Sequence, residues 1–245
     1  MRIPRIYTPQ PLAAQQSLLL EAHASRHVLM VLRLKTGAPL VLFDGSGREF
    51  EARLDGAENH HARVSVAAEH AVCSESPLHI TLVQGISRGE RMDFTLQKAV
   101  ELGVAEIIPV LTERSVVHLD AKQAMRKQQH WQQLVIGACE QSGRVHMPPV
   151  GTPRPLNEVL SEPASAELSL LLHPTADAKL SELAAPAHNQ VRLLVGPEGG
   201  LSGTEIAAAQ HAGFISVQLG PRVLRTETAA LVALSLLQAR WGDLV

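Results

Sequence analysis

"LLVGPEGGLSGTEI", Leu193 to Ile206, is the stretch on which the reading of this chain turns. Apolar residues run to Val195 and stop at Gly196, and further glycines follow at 199, 200 and 203. Ser202, with Glu205 three positions on, is a capping-box pattern that predicts a helix starting just past the glycines. "IAAAQHAG" completes that helix, and Gly213 ends it. A strand that feeds a helix through bare main chain leaves backbone N–H groups open to a ligand. In open α/β sheets, ligands gather outside the carboxyl ends of the strands. Neither phosphate fingerprint is present. The glycine spacing is not GxGxxG, and neither Gly200 nor Gly203 is followed by the lysine of a P-loop. A ligand held by main-chain hydrogen bonds and apolar walls suits the loop better.

The theme recurs downstream. "VQLGPRVLRTETAALVAL", Val217 to Leu234, reads as a strand, Gly220, a loop with Arg222, Arg225 and Glu227, and an apolar helix. Thr226 or Thr228 is the expected cap of that helix. "LLLHP" ends a third strand at His173–Pro174. Three strand ends can thus line one small-molecule pocket, with two arginines and the carboxylates Glu198 and Glu227 at its mouth. Two plainer explanations compete: loops at strand ends need Gly and Pro in any case, and Arg225 with Glu227 could be an ordinary surface pair.

The two ends of the chain differ in rhythm. Toward the N-terminus lie short strand-like pieces, "PLVLF" (39–43), "REFEARL" (48–54) and "ARVSVAA" (62–68), the first two joined by the turn "DGSG" (44–47). They suggest a small barrel, with "HASRHVLMVLRL" ahead of them supplying one helical turn or two. After Ser76 strands alternate with helices. "LHITLVQG" precedes a helix with Met92, Leu96, Ala99 and Val100 on one face and a stop at Gly103. "VAEIIPVL" precedes a long helix capped by Asp120, with Trp131, Leu134, Val135 and Ala138 on its apolar face. "RPLNEVLSEPASAE" reads as a short helix and a loop, and "LSLLLHP", "VRLLVG" and "FISVQLG" as three more strands. The class is therefore α/β with a mostly parallel sheet. The division expected is 1–72 and 77–245.

Composition narrows the function classes. With 245 residues, 45% hydrophobic and 19% charged, the chain is an ordinary globular one. No apolar run reaches the roughly 18–20 residues of a membrane span, and "MRIPRIYTPQPL" lacks the apolar centre of a signal peptide. Cys73 and Cys139 are isolated, which suits a reducing, cytoplasmic setting. The twelve histidines form no ligand spacing, so no metal is expected. Net charge is −2, yet residues 1–35 hold Arg2, Arg5, Arg26, Arg33 and Lys35 against the single acid Glu21. Such a patch either meets nucleic-acid phosphate or is plain solvated surface.

Several segments resemble a known family: "VGPEGGLS", "LGPRVLRTETAA", "RMDFTLQKAVELGV", "EQSGR" (140–144), the start "MRIPRIY", and "HVLMVLRLKTGAPLVLFDGSGREFEA". Together, and in this order, they look like the ribosomal RNA small subunit methyltransferase E family of the SPOUT superfamily. The resemblance covers nearly the whole chain. It implies an N-terminal PUA-like β-barrel that binds RNA and a C-terminal SPOUT domain with a deep trefoil knot. It also implies a homodimer that uses S-adenosylmethionine to methylate N3 of a uridine in the decoding region of 16S rRNA, with the assembled 30S subunit as substrate. The implied cofactor seat is Leu171, Leu172 and His173; Val195, Gly196, Pro197, Gly199 and Gly200; and Leu219, Gly220, Arg222, Val223 and Leu224. Bulky side chains at Gly196, Gly199 or Gly200 are expected to block it by overlap. For catalysis Arg225 would stabilise the uracil anion, while Glu227 or Glu198 would take the proton or Glu227 would only orient Arg225. RNA contacts fall to Arg2, Arg5, Arg26, His27, Arg33 and Lys35. A non-catalytic RNA-binding protein with a vestigial pocket is the competing class. A nucleotide-using oxidoreductase or kinase is disfavoured by the missing phosphate fingerprints.

Overall fold

The structure is a computed structural model that describes residues 3–72, 74–162 and 168–244. Its contacts divide the chain into two units, Met1–Glu75 with Cys139–Met147, and Ser76–Ala138 with Pro148–Val245. Cys73 lies outside the described residues.

In the first unit the elements are β1 (Arg5–Tyr7), β2 (Ser17–Leu19), α1 (Ala22–Arg26), β3 (Pro39–Phe43), β4 (Arg48–Glu58) and β5 (His61–Ala71). They form a five-stranded sheet in the order β1-β3-β4-β5-β2, with β1 parallel to β3 and the other pairs antiparallel. Period-two alternation does the sorting. Phe50, Ala52 and Leu54 of β4 and Ala62, Val64 and Val66 of β5 are buried, and they join Ile6, Leu20, Leu40 and Leu42 in one core. "DGSG" is the β3–β4 turn: the Asp44 carboxylate accepts from Ser46 N at 3.0 Å, and Gly45 and Gly47 take φ of 85° and 93°. "HASRHVLMVLRL" forms α1, capped by Glu21, which runs on into a π-helical turn over His27–Val31. "EQSGR" is built into this unit. Glu140 accepts from Tyr7 N at 3.0 Å, and Arg144 donates to Glu75 through Nε and Nη2 at 3.0 and 2.7 Å.

The second unit holds β6 (His79–Gly85), α2 (Glu90–Glu101), β7 (Val104–Leu111), α3 (Ala121–Ser142), β8 (Arg154–Pro155), α4 (Leu156–Ser161) and β9 (Leu168–Leu172). The residues of α3 from Cys139 onward belong to the first unit. There follow β10 (Ala178–Lys179), β11 (Gln190–Val195), α5 (Gly203–His211), β12 (Ile215–Gln218) and α6 (Thr226–Trp241). The sheet runs β10-β12-β9-β11-β6-β7-β8, and each of these pairings is parallel. Central β11 is buried over Val191–Val195, as a strand covered on both faces must be. Leu171, Leu194, Val83, Val110 and Phe214 share a core with Leu156 and Val159 of α4 and Ala209 of α5.

Two helix starts repay comparison. At α5 the capping box forms: Ser202 Oγ accepts from Glu205 N at 3.1 Å, and Glu205 Oε2 accepts from Ser202 N at 2.8 Å. At α6 the expected threonine cap does not form. The cap position falls on Arg225, which makes no side-chain cap bond. Thr226 already lies inside the first turn, and its hydroxyl donates instead to Gly196 O at 2.6 Å. The far end of α6 is held by fully buried Gln238, whose Nε2 donates to Leu102 O at 3.1 Å while Oε1 accepts from Ser76 Oγ at 2.6 Å.

Glu205 does more than cap, because its other carboxylate oxygen accepts from Glu113 N at 2.8 Å. Glu205→Ala strands the Ser202 and Glu113 N–H groups, and is expected to cost about 2 kcal/mol. The check is a lowered urea midpoint at unchanged slope.

Candidate active site

Parallel pairing puts the carboxyl ends of the strands along one edge of the sheet. There the loops after β9, β11 and β12 close round a cavity of about 620 Å³, within the range of small-molecule sites. Its lining is largely main chain and aliphatic. Leu172, His173 and Pro174 come from the first loop, Val195 to Leu201 from the second, and Leu219, Gly220 and Arg222–Glu227 from the third. Gly200 and Gly220 sit at φ of 68° and 132°, which no side chain adopts without strain.

The structure brings together nearly all the residues expected here: Leu172 and His173; Val195, Gly196, Pro197, Gly199 and Gly200; Leu219, Gly220, Arg222, Val223 and Leu224; and Arg225, Glu227 and Glu198. Leu171 is a correction. It does not line the cavity, and its fully buried side chain is part of the sheet core with Leu194 and Phe214. Alternation along β9 sends the side chains of Leu171 and Leu172 to opposite faces. Arg91 and Arg114 also line the cavity and were missed by sequence. Both follow strand ends, β6 and β7, and the rule that singled out three loops applies equally to these two.

The charged groups divide by partner. Glu198 accepts from Arg88 N at 3.0 Å and from Arg91 Nη1 at 2.9 Å. Burial alone would push its carboxyl up, but its own and Arg88's backbone N–H groups and the Arg91 guanidinium outweigh that and hold it below the ordinary value. Glu198 is therefore a latch on the β6–α2 loop and a poor proton acceptor. Arg222 and Arg225 are exposed, and among the described residues neither guanidinium makes a hydrogen bond or ion pair. Arg225 and Glu227 do not pair. One carboxylate oxygen of Glu227, Oε2, is buried with no hydrogen-bond partner.

The glycines are tighter than expected. A Cβ on Gly199 would meet Arg114 Cβ and O at 3.0 Å, and one on Gly196 would meet Leu201 at 3.2 Å. A side chain at either place first pushes on the surrounding loops, so such a variant is not a clean obstruction of the cavity.

Comparison with known proteins fits this geometry. The family described as RNA methyltransferase domain matches residues 74–238, and that described as RNA methyltransferase PUA domain matches 20–67. Ribosomal RNA small subunit methyltransferase E of Buchnera aphidicola subsp. Schizaphis graminum is 36% identical over 243 residues, covering 99% of this chain and 98% of the relative. The chain belongs to the ribosomal RNA small subunit methyltransferase E family. The solved enzyme of that name from Neisseria gonorrhoeae, bound to S-adenosyl methionine, is 43% identical with a TM-score of 0.92 over all of both chains. A Legionella pneumophila protein assigned as a methyltransferase, in complex with the bound cofactor SAM, is also 43% identical, with a TM-score of 0.94 over 99% of this chain and 100% of its own.

In this family member the basic patch of the PUA-like unit is smaller than its sequence suggests. Arg26, Arg33 and Lys35 are exposed. His27 is half-buried, 3.4 Å from the Glu140 carboxylate. Arg5 is a correction. It pairs with Glu49, donates to Arg144 O at 3.0 Å and lies 5.0 Å above the Phe43 ring, which leaves its side chain 10% exposed. Its charge is neutralised inside the unit. Arg2 lies outside the described residues. Among the described residues, no cluster of three or more His, Cys, Asp or Glu is placed to hold a metal, and no helix is long and apolar enough to cross a membrane.

The Glu198 latch has a pH signature. Its carboxyl is depressed in the folded state, so its stabilisation is complete above the ordinary carboxylate value and is lost as pH falls through the folded one. Glu198→Gln is expected to lower the urea midpoint at pH 7, and the difference from wild type should vanish in acid.

Proposed function

We propose that this chain transfers a methyl group from S-adenosylmethionine to N3 of a uridine in the decoding region of 16S rRNA, acting in the cytoplasm on the assembled 30S subunit. The observation that carries the reading is the cavity at the sheet edge, with main-chain and aliphatic walls, and with an unengaged arginine and a carboxylate that has an unpartnered oxygen among its lining residues. Its size and lining suit an adenosine with an apolar-walled, main-chain-bonded seat. The residues that would hold the cofactor are Leu172 and His173, the 195–200 loop, and Leu219–Leu224. Bound there, it supplies an electrophilic methyl on a sulfonium.

What the chain must add follows from uracil chemistry. N3 carries a proton, and is a poor nucleophile until the proton leaves. Arg225 supplies a permanent, planar donor for O2 or O4 as negative charge grows there. Glu227, whose carboxylate pairs with no cation among the described residues, receives the N3 proton. It is preferred over Glu198, whose Oε1 is engaged by Arg88 and Arg91 and whose carboxyl is held below the ordinary value, and over the role of orienting Arg225, with which it makes no bond. A cavity open to solvent, with both groups unengaged, favours catalysis over RNA binding alone. Arg26, Arg33 and Lys35 would meet phosphate and position the RNA without reading its sequence.

Two further parts of the proposal concern α6. In this reading it threads the loops of the sheet edge as the knotted element of a trefoil, an arrangement that ordinary connection rules avoid. It also contributes to a homodimer interface, since it is apolar over Ala229–Leu234 and leaves Leu236 44% exposed.

The test is transfer of labelled methyl to small subunits lacking the modification, with a reverse-transcription stop mapping it, because N3 methylation blocks Watson–Crick pairing. A stop at a decoding-region uridine is expected, whereas label elsewhere overturns the substrate. Arg225→Ala should lower kcat about 100-fold, the scale of losing one anion-stabilising donor, with S-adenosylmethionine affinity nearly unchanged by calorimetry. Glu227→Gln should also act on kcat. Replacing Arg26, Arg33 and Lys35 together should weaken RNA binding and flatten its salt dependence.

A further inference from the structure

Three groups far apart in the chain meet at the first residue of the glycine loop. Gln84, fully buried near the end of β6, donates from Nε2 to Thr226 Oγ1 at 3.1 Å, and the Thr226 hydroxyl donates to Gly196 O at 2.6 Å. The two links span 142 and 30 positions of sequence. The direction of the chain of bonds is forced. A carbonyl only accepts, so the hydroxyl's single proton goes to Gly196, and the hydroxyl oxygen then needs a donor. That donor is the Gln84 amide nitrogen, whose other contact is Gly85 O at 3.1 Å. A flipped amide would set oxygen against a hydroxyl with no proton left to give. The cost of this orientation is visible: Gln84 Oε1 is buried without a partner. Native structures leave few such atoms.

An independent observation places the same two loops in backbone contact. A Cβ on Gly85 would lie 2.5 Å from Pro197 N and 2.9 Å from Gly196 C. The end of β6 and the start of the glycine loop therefore meet with no slack, and the hydrogen-bond chain adds the start of α6 to them.

We infer that Gln84 and Thr226 are positioning residues that fix the distance between the cofactor loop and the helix start bearing Arg225 and Glu227. The inference rests on the reading of the cavity as the S-adenosylmethionine seat. Thr226 stands between Arg225 and Glu227, so any movement of its backbone carries both. Gly196 opens the loop that would hold the methyl donor. Each half of the site binds its own ligand through other contacts. Loosening the link therefore spoils the alignment of donor and acceptor while leaving the affinity of either nearly intact. Misplacement by an ångström at a reacting centre is enough to cost about 100-fold.

The experiment uses the full-length wild type, Thr226→Val, Thr226→Ser, Gln84→Met and the double variant Gln84→Met/Thr226→Val. S-adenosylmethionine affinity is read by calorimetry, and kcat with unmodified small subunits at saturation. Thr226→Val keeps the branched shape and loses the hydroxyl, Thr226→Ser keeps the hydroxyl, and Gln84→Met keeps length and loses the donor. Thr226→Val and Gln84→Met should each lower kcat about 10- to 100-fold, with affinity within about threefold of wild type. Thr226→Ser should restore kcat to within about threefold, and the double variant should be no worse than the poorer single, as members of one network behave. If Thr226→Val does not fold, Gln84→Met carries the same comparison. A wild-type kcat in Thr226→Val and Gln84→Met, a Thr226→Ser as slow as Thr226→Val, or a loss of affinity matching the loss of kcat overturns the positioning role. A wild type that binds no S-adenosylmethionine overturns the reading beneath it, which separates the two failures.

Discussion

Parallel pairing throughout the seven-stranded sheet is the constraint on which the rest of the second unit depends. Parallel strands cannot be joined by tight hairpins, so each must be followed by a connection that crosses back. Every crossover begins at the same edge, and the loops after β6, β7, β9, β11 and β12 are thus crowded together whatever their sequences. Crowding explains why glycines occur there. Gly85 lies against Pro197, and Gly199 lies against Arg114, because main chain approaches main chain at this edge. The cavity is the space left where three of these loops diverge.

What was legible in the sequence follows from how local each signal is. The Ser202–Glu205 box, the Gly103 stop and the "DGSG" turn are set by residues within a few positions of one another, and each forms as expected. The buried run of β11 and the alternation in β4 are equally local. The threonine cap of α6 was not legible, because the decision between capping a helix and bonding Gly196 belongs to a partner 30 positions away. Arg5 failed for the same reason: Glu49 and the carbonyl of Arg144 are distant in sequence and close in space. "EQSGR" could be recognised as a family signature, but its local text gives no hint that Glu140 and Arg144 hold down Tyr7 and Glu75.

The site itself was legible as a set of loops and not as a set of roles. Three carboxyl-terminal strand ends were enough to place Arg225, Glu227 and the glycine loop round one cavity. Choosing between Glu198 and Glu227 needed partners. Glu198 is engaged by donors that favour its ionised form, while Glu227 retains a buried oxygen that bonds to nothing. A buried acceptor left in that state costs about 1–3 kcal/mol.

Helix α6 poses a problem that these observations resolve together. An amphipathic helix finds its rotation from its own apolar stripe, but a helix without one could bury any face and slide along its axis at little cost. Apolar packing alone would leave the start of α6, and with it Arg225 and Glu227, poorly fixed. Hydrogen bonds are directional and leave an unpaired group when they slip, so two of them set far apart define both rotation and advance. α6 has such a pair: Thr226 on Gly196 at its first turn and Gln238 on Leu102 and Ser76 near its last. Gly242 and Gly103 leave room for the Gln238 side chain, where a Cβ would lie 1.8 Å from Oε1 and 2.5 Å from Nε2 respectively. The buried polar groups Thr226 and Gln238 thus serve register, and the proposed roles of Arg225 and Glu227 at the helix start depend on that register being unique.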